Sequence, residues 1–347
     1  MTLLRLSAIL LATLFGAGAL ILAAFAGMSS LREVLPPGTG PGEQARHATV
    51  DGLNLHYRQW GPDDGPPVVL VHGAVAWSET WRDIATPLGD AGYRVLAPDL
   101  PPFGYSERPV DADYSRPAQA RLLQGFAEAL RLDDFILVGH SFGGGATMEA
   151  ALAMREKIDA LVLIDVALNL SPTRPKPLVG LLLKTRPTRT AAAATSFANP
   201  IVVSLGLRSF VFDKALATNE RLTLYHAPLD VEGTAAATGD WIRTGLFGDL
   251  SAAPSAQRDN LAALDIPTLV VWGREDTVTP LEQGEDIAGL LPDARLVILD
   301  AVNHIPHIER PDLVVEALLE FLLHPGLADG DLTASTRPIE SIGEVAD

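Results

Sequence analysis

One serine, one histidine and one aspartate in this chain have neighbours suited to acyl-transfer chemistry. Gly139-His140-Ser141-Phe142-Gly143 sets a serine between small residues, straight after the apolar run Phe135–Val138 and before Gly143-Gly144-Gly145-Ala146. A serine on a tight strand-to-helix turn needs Gly139 and Gly143 beside it, because larger side chains would strike the neighbouring strand and helix. The helix N-terminus that follows aims free N–H groups and the positive end of its dipole at developing negative charge. A serine hydroxyl attacks a carbonyl only when a base takes its proton. Of the eight histidines, His304 fits best, on a short loop between the apolar run Leu296–Leu299 and a helix starting near Pro311. His307 is a decoy three residues on, and His47, His56, His226 and His324 read as structural.

The base in turn needs an acid to fix its tautomer and to stabilise the imidazolium. Asp276, in Gly273-Arg274-Glu275-Asp276-Thr277, is the candidate, with Glu275 expected to face solvent. Asp165, at the end of Ala160–Ile164, is its rival. The order Ser, Asp, His suits a parallel-sheet hydrolase. Negative charge on a tetrahedral intermediate requires two backbone N–H donors at the same sheet edge. Val71-His72-Gly73-Ala74 supplies the second of them: Ala74 N–H would face the oxyanion together with Phe142 N–H. Gly73 lets that loop turn tightly, and His72 is expected to orient the loop rather than react.

These residues must be held by elements that alternate in type. Short apolar runs at Val68–Val71, Arg94–Pro98, Phe135–Val138, Ala160–Ile164, Thr268–Trp272 and Leu296–Leu299 read as strands buried on both faces. Pro117–Leu132, Phe142–Arg155, Pro280–Leu291 and Pro311–Leu323 read as helices between them. That pattern predicts an α/β fold with a mostly parallel sheet flanked by helices. Asp51-Gly52 between His47–Val50 and Leu53–Trp60 predicts a hairpin at its start. The expected core is 47–168 plus 261–323. Residues 169–260, helical and Pro-bounded, interrupt it as a cap inserted before the strand that precedes the acid. A Gly-, Asp- and Ser-rich tail, 324–347, is expected to be disordered.

On four motifs in order the chain resembles the α/β-hydrolases of the epoxide-hydrolase and haloalkane-dehalogenase-like group. They are His72-Gly73, Asp99 through Pro109, the Ser141 turn, and His304 with Glu309-Arg310-Pro311, within a likeness running from about Val50 to Leu323. Two positions depart from the group's pattern: Pro102 and Asn303 each stand where glycine is usual. The nucleophile narrows the chemistry further. Displacement at an alkyl carbon uses Asp, whose ester can be hydrolysed at its carbonyl; serine would be left as an ether. Ser141 therefore points to carbonyl substrates, first among them apolar carboxylic esters, with no metal or cofactor. The alternatives are a β-diketone C–C hydrolase, a perhydrolase, or a non-catalytic binding protein on the same fold.

Composition sets outer bounds. A net charge of −17 in 347 residues excludes a nucleic-acid partner, which needs a basic face. The absence of cysteine excludes disulfides, thiolate nucleophiles and Cys-based metal sites. Leu6 to Met28 is a charge-free apolar stretch of 23 residues, enough to span a bilayer at about 1.5 Å per residue. Residues 1–28 are thus expected to be a transmembrane anchor, or a signal segment cleaved near Ala24-Phe25-Ala26, with the catalytic domain outside the cytoplasm. Residues 29–46, containing Pro36–Gly42, read as a tether. Within Asn169–Lys214 seven cations face the single acid Asp213, beside apolar runs. That pattern suits a cap leaning on anionic lipid, or cations paired with acids of the core.

Overall fold

The computed structural model describes residues 16, 18, 20–42, 44–168 and 177–323. Eight strands form one sheet in the order β1-β2-β4-β3-β5-β6-β7-β8. The hairpin β1 (Ala45–Val50) and β2 (Leu53–Trp60) turns at Asp51-Gly52, and β2 pairs antiparallel to β4 (Arg94–Pro98). The strands β3 (Pro67–Val71), β4, β5 (Phe135–His140), β6 (Ile158–Ile164), β7 (Thr268–Gly273) and β8 (Ala294–Leu299) pair in parallel.

Period-two alternation sends neighbouring residues of these strands to opposite faces, and both faces are apolar. Val69, Val71, Leu137, Leu161, Leu163 and Val270 pack with Leu123 and Phe126 of α3 (Arg116–Ala129) and Ala146 of α4 (Gly143–Ala153). Ile287 of α11 (Leu281–Leu290) joins the same cluster. Val68, Leu70, Val138, Val162, Ile164 and Val271 pack on the other side. Their partners are Ile84 and Leu88 of α2 (Arg82–Asp90) with Val314, Leu318 and Phe321 of α12 (Pro311–Leu323). Each fully buried aliphatic side chain contributes about 1.5–3 kcal/mol, so the sheet is a stiff platform for the loops at its edge. The order reverses at β3, with β4 to one side and β5 to the other. Ligands bind beyond the strand C-termini at such a switch point, where neighbouring loops part.

Between β6 and β7 the described chain is helical: α5 (Pro177–Leu182), α6 (Arg186–Ala194), α7 (Pro200–Phe210), α8 (Asn219–His226) and α9 (Thr234–Trp241). The expected boundary at 260 falls inside the next helix, α10 (Arg258–Ala262), whose Leu261 belongs to the sheet core. Ser255 N–H donates to Glu149 of α4 at 2.8 Å, so the chain has already rejoined the core before that boundary.

Residues 29–46 are also not a loose tether. Residues 20–32 form a helix, α1, whose Phe25 packs on Ala194, Ala198 and Ala235. Arg32 donates to Ala198 O at 2.8 Å and pairs with Asp230 at 3.2 Å. Glu33 accepts from Ala235 N at 3.0 Å, Leu35 bridges Val231, and Ala45 and Arg46 already pair in β1. Backbone hydrogen bonds unavailable within a Pro-Gly segment are satisfied across the domain instead. Among the described residues no helix is long and apolar enough to cross a membrane. Residues 1–15 and the predicted tail 324–347 lie outside the description.

Candidate active site

β5 ends at His140 and α4 begins at Gly143, so the turn between them has only Ser141 and Phe142 to use. Ser141 takes a φ of +49°, a left-handed conformation that costs a non-glycine residue about 1–3 kcal/mol. Three bonds hold it there. Its N–H donates to Ile164 O at 3.2 Å, and its carbonyl accepts from Gly144 N at 3.0 Å and Ala167 N at 2.8 Å. A Cβ on Gly143 would stand 2.2 Å from His72 O, and one on Gly73 would stand 2.9 Å from Ser141 Cβ. The two loops thus approach closely only because both residues are glycine.

The turn presents Ser141 Oγ at 2.8 Å from His304 Nε2, and His304 Nδ1 lies 2.8 Å from Asp276 Oδ2. With Nδ1–H donated to the carboxylate, Nε2 is left as the acceptor facing the serine hydroxyl. Asp276 is fixed by more than the histidine. Its Oδ1 accepts from Val278 N at 2.6 Å and Thr279 N at 2.9 Å, while Thr279 Oγ1 donates to Oδ2 at 2.6 Å. Burial works to raise its pKa, but the hydrogen bonds from His304 and Thr279 and the histidine's charge hold it at about 2. Asp165, the rival acid, directly follows β6 and makes no hydrogen bond to His304 among the described residues; its Oδ1 accepts from Gly273 N at 3.0 Å.

The remaining predicted residues gather around this line. His72 is buried and kept neutral by burial; its Nε2 accepts from Leu100 N at 2.9 Å, and its Nδ1 lies 2.8 Å from Gly73 O. The ring thus ties its own loop to the backbone at Leu100. Gly139 sits against Thr147, with no room for a Cβ. Ala74 and Phe142 both line the cavity beside Ser141. Among the described residues neither backbone N–H is taken by an acceptor of the protein. His307 is a packed residue, its ring 4.4 Å from Trp81 and 4.5 Å from His140. Glu275, expected in solvent, instead accepts from Val302 N at 3.1 Å.

Some supports escaped the reading of residue types. His140 donates from Nε2 to His304 O at 2.8 Å, and burial with the nearby His304 charge pushes its pKa down to about 3. The neutral ring therefore acts as a strut for the base's backbone. Asn303, where glycine is usual, accepts from Thr277 N at 2.9 Å and donates to Ser209 O at 2.9 Å. Glu309 accepts from Asn303 N at 2.8 Å and Phe212 N at 2.5 Å, and His304 N donates to Phe210 O at 3.0 Å. The histidine loop is thus fastened both to the acid loop and to the end of α7. Only the Glu309-Arg310-Pro311 motif signalled any of this in the sequence.

The serine opens on a cavity of about 380 Å³ under the helical segment. Its walls include Val203, Leu207 and Phe210 from α7, Trp241 from α9, Phe197 and Leu246. Trp241 is the hub, with Phe103, Phe142 and Phe197 edge-on at 5.0, 4.9 and 5.2 Å. Leu246 closes a π-helical turn, Ile242–Leu246, that carries the chain on from α9. The cap's basic character is partly internal. Arg189 is buried, pairing with Asp240 at 2.6 Å and with Asp111, which also takes Arg186 at 3.7 Å. Arg189 is thus held by ion pairs within the protein, while Arg186 and Asp111 stay about half exposed.

A family model described as the alpha/beta hydrolase fold matches residues 66–311. A 2-hydroxy-6-oxo-6-phenylhexa-2,4-dienoate hydrolase of Burkholderia cepacia is 31% identical over 280 residues, 79% of this chain and 92% of that protein. The meta-cleavage product hydrolase of Pseudomonas fluorescens IP01 superposes with a TM-score of 0.66 at 25% identity, over 80% of this chain and 97% of that one. A bacterial membrane phospholipase A superposes with a TM-score of 0.62 at 26% identity, over 94% of this chain and 98% of that one. The extent of the match and the order of the motifs along the sheet agree: this chain is a member of the alpha/beta hydrolase family.

Proposed function

We propose that the protein is a serine hydrolase that cleaves apolar carboxylic esters through an acyl-enzyme. The carrying observation is the hydrogen-bonded line Ser141–His304–Asp276 opening on an apolar cavity. Ser141 Oγ attacks the carbonyl carbon while His304 Nε2 takes its proton, and the Ala74 and Phe142 N–H groups hold the oxyanion. The intermediate collapses, His304 protonates the departing alkoxide, and an ester of Ser141 remains. Water then attacks that ester with His304 again as base, releasing the acid and restoring the serine.

A second reading, cleavage of a C–C bond beside a ketone, draws on the names of the dienoate hydrolases among the relatives. A dienoate carries a carboxylate, which needs a cationic or amide partner once out of water. None of the described residues lining the cavity is Lys, Arg, Asn or Gln, which favours a neutral acyl group. The test pairs p-nitrophenyl esters of rising chain length with a chromogenic 2-hydroxy-6-oxodienoate, together with labelling by a fluorophosphonate probe. Ester turnover and labelling, both lost in Ser141→Ala, are expected. Turnover of the dienoate alone would overturn the ester assignment, and persistence of labelling in Ser141→Ala would overturn the nucleophile.

The same reading places the protein at a membrane, anchored through residues 1–28. Its supports are the apolar stretch Leu6–Met28, the docking of α1 on the cap, and exposed Ile201, Val202 and Leu205 on α7. The likeness to a membrane phospholipase A over 94% of the chain adds to them. Full-length protein is expected to stay in the membrane pellet through alkaline extraction. Its release into the supernatant with residues 1–28 still attached would refute the anchor.

A further inference from the structure

α7 is apolar on two opposite faces. Val203 and Leu207 are buried on one of them, in a cluster with Tyr225, Ile305 and Ile308. The other sets Ile201 and Leu205 one turn apart, 68% and 62% exposed. A helix apolar on both sides is satisfied only when both are covered, in a protein interior or in lipid. The N-terminal segment is seated beside the same helix. Phe25 of α1 packs on Ala194 and Ala198, and Arg32 donates to Ala198 O at 2.8 Å, two residues before α7 begins. Leu20, Ile21, Met28 and Leu31 of α1 are exposed as well. Large exposed apolar side chains gather on residues 20–35 and on the cap; among the described residues only Val110, Val278 and Leu323 lie elsewhere.

The cavity that serves Ser141 reaches the surface at this helix. Among the described residues lining it, the exposed side chains are Val202 of α7, at 40%, and Val278 of the loop after β7, at 43%. The rim is therefore apolar on both sides. Gly206 stands one turn on from Val202, on the flank of α7 between its exposed and buried faces, and lines the cavity too. A Cβ there would meet nothing closer than Phe210 at 3.9 Å, and its backbone is not left-handed. Gly73 and Gly143 leave no room for a side chain; Gly206 does. Glycine weakens a helix interior, so an unforced glycine at the rim marks a place where the helix wall is kept open.

We propose that the exposed face of α7 lies in the headgroup–acyl boundary of a bilayer, and that the notch bounded by Val202, Gly206 and Val278 admits the acyl chain of a lipid ester straight from the bilayer. The substrates are thereby esters of long-chain fatty acids held in a membrane, rather than esters dissolved in water. Lipid is the occupant of this face because the apolar run Leu6–Met28 leads into a helix docked against the start of α7. Arg208, exposed three residues on from Leu205 and in no ion pair among the described residues, is placed to meet an anionic headgroup. The proposal rests on the reading of residues 1–28 as an anchor and of Ser141 as the nucleophile of an esterase.

The test uses the full chain in vesicles of phosphatidylcholine with phosphatidylglycerol. The protein has no cysteine, so Leu205→Cys takes a single environment-sensitive fluorophore. Asp64→Cys, in the turn before β3 at the opposite edge of the sheet, is the control. A quencher carried on the lipid acyl chains is expected to quench the label at 205 and to spare the label at 64. Equal quenching at both positions in membrane-bound protein would overturn the proposal. So would a label at 205 that is shielded from water yet unquenched, which would put a second copy of the chain on this face. Gly206→Phe is expected to lower hydrolysis of a long-chain ester held in the vesicles, relative to p-nitrophenyl acetate in buffer, by about tenfold or more. An unchanged ratio would overturn the notch as the acyl route, and if Gly206→Phe does not fold, the quenching decides alone. Failure of the anchor shows as protein leaving the membrane pellet, and failure of the esterase reading as no turnover of either ester. Each is distinguishable from pellet-bound, active enzyme whose label at 205 stays unquenched.

Discussion

Replacing Asp276 by asparagine separates geometry from charge at this site. The substitution keeps Oδ1, which accepts Val278 N at 2.6 Å and Thr279 N at 2.9 Å, so the side chain stays in place. What changes is the atom 2.8 Å from His304 Nδ1, where a carboxylate oxygen becomes an amide nitrogen that donates. Two losses follow. The imidazolium formed in the transition state no longer faces a negative charge; at about 4 Å and an effective dielectric constant near 20 that interaction is worth about 4 kcal/mol, or about three decades in rate. The ring is also driven to the tautomer with hydrogen on Nε2, which points a proton at Ser141 Oγ and removes the acceptor the serine needs. Together the two predict a fall in kcat of about 10⁴-fold, with KM little changed. The assay is p-nitrophenyl ester turnover by purified enzyme whose melting temperature confirms folding. A folded variant retaining more than about a tenth of wild-type kcat would refute the assignment of Asp276, and a simultaneous collapse of Asp165→Asn would transfer the role to Asp165.

Gly143→Ala should unseat the nucleophile turn, because the added Cβ stands 2.2 Å from the His72 carbonyl; loss of esterase activity with weakened thermal stability is the expected outcome in a melting scan and turnover assay. Trp241→Ala removes a fully buried hub contacting Phe103, Phe142 and Phe197, at an expected cost of about 3–5 kcal/mol in denaturant titration. Any folded variant should accept longer acyl chains, and unchanged chain-length preference would show that this wall does not shape the site. The two buried acids should bend the stability curve in opposite ways. The stability from Asp276, held at about 2, is present above the ordinary carboxylate range and lost as pH falls toward that value. Asp165 is raised, so its contribution is present at low pH and lost as pH climbs above that range. The melting temperature of Asp165→Asn relative to wild type should therefore increase with pH, and a gap that is constant with pH would contradict the raised value.

The strands of the sheet, the hairpin at Asp51-Gly52 and the turn at Ser141 were legible in the residues, because each is set by short-range pattern. Unbroken β-branched runs demand burial on both faces, and a serine between glycines after such a run leaves the backbone few options. The order Ser141, Asp276, His304 was legible for the same reason: each follows a strand end, and parallel strands bring their C-termini to one edge. Local pattern does not contain partners that meet across long spans of chain. It could not show that Asn303 and Glu309 tie the histidine loop to the end of α7. Nor could it show that Arg189 spends its charge on Asp240 and Asp111 inside the protein. The Pro-Gly stretch read as a tether because it can form neither helix nor strand, yet its flanks are satisfied by Asp230, Val231 and Ala235. Asp165 makes the distinction sharpest. Its residue type offered an acid, and only the packing of β6 against β7 turned its Oδ1 to the Gly273 N–H and left His304 Nδ1 to Asp276.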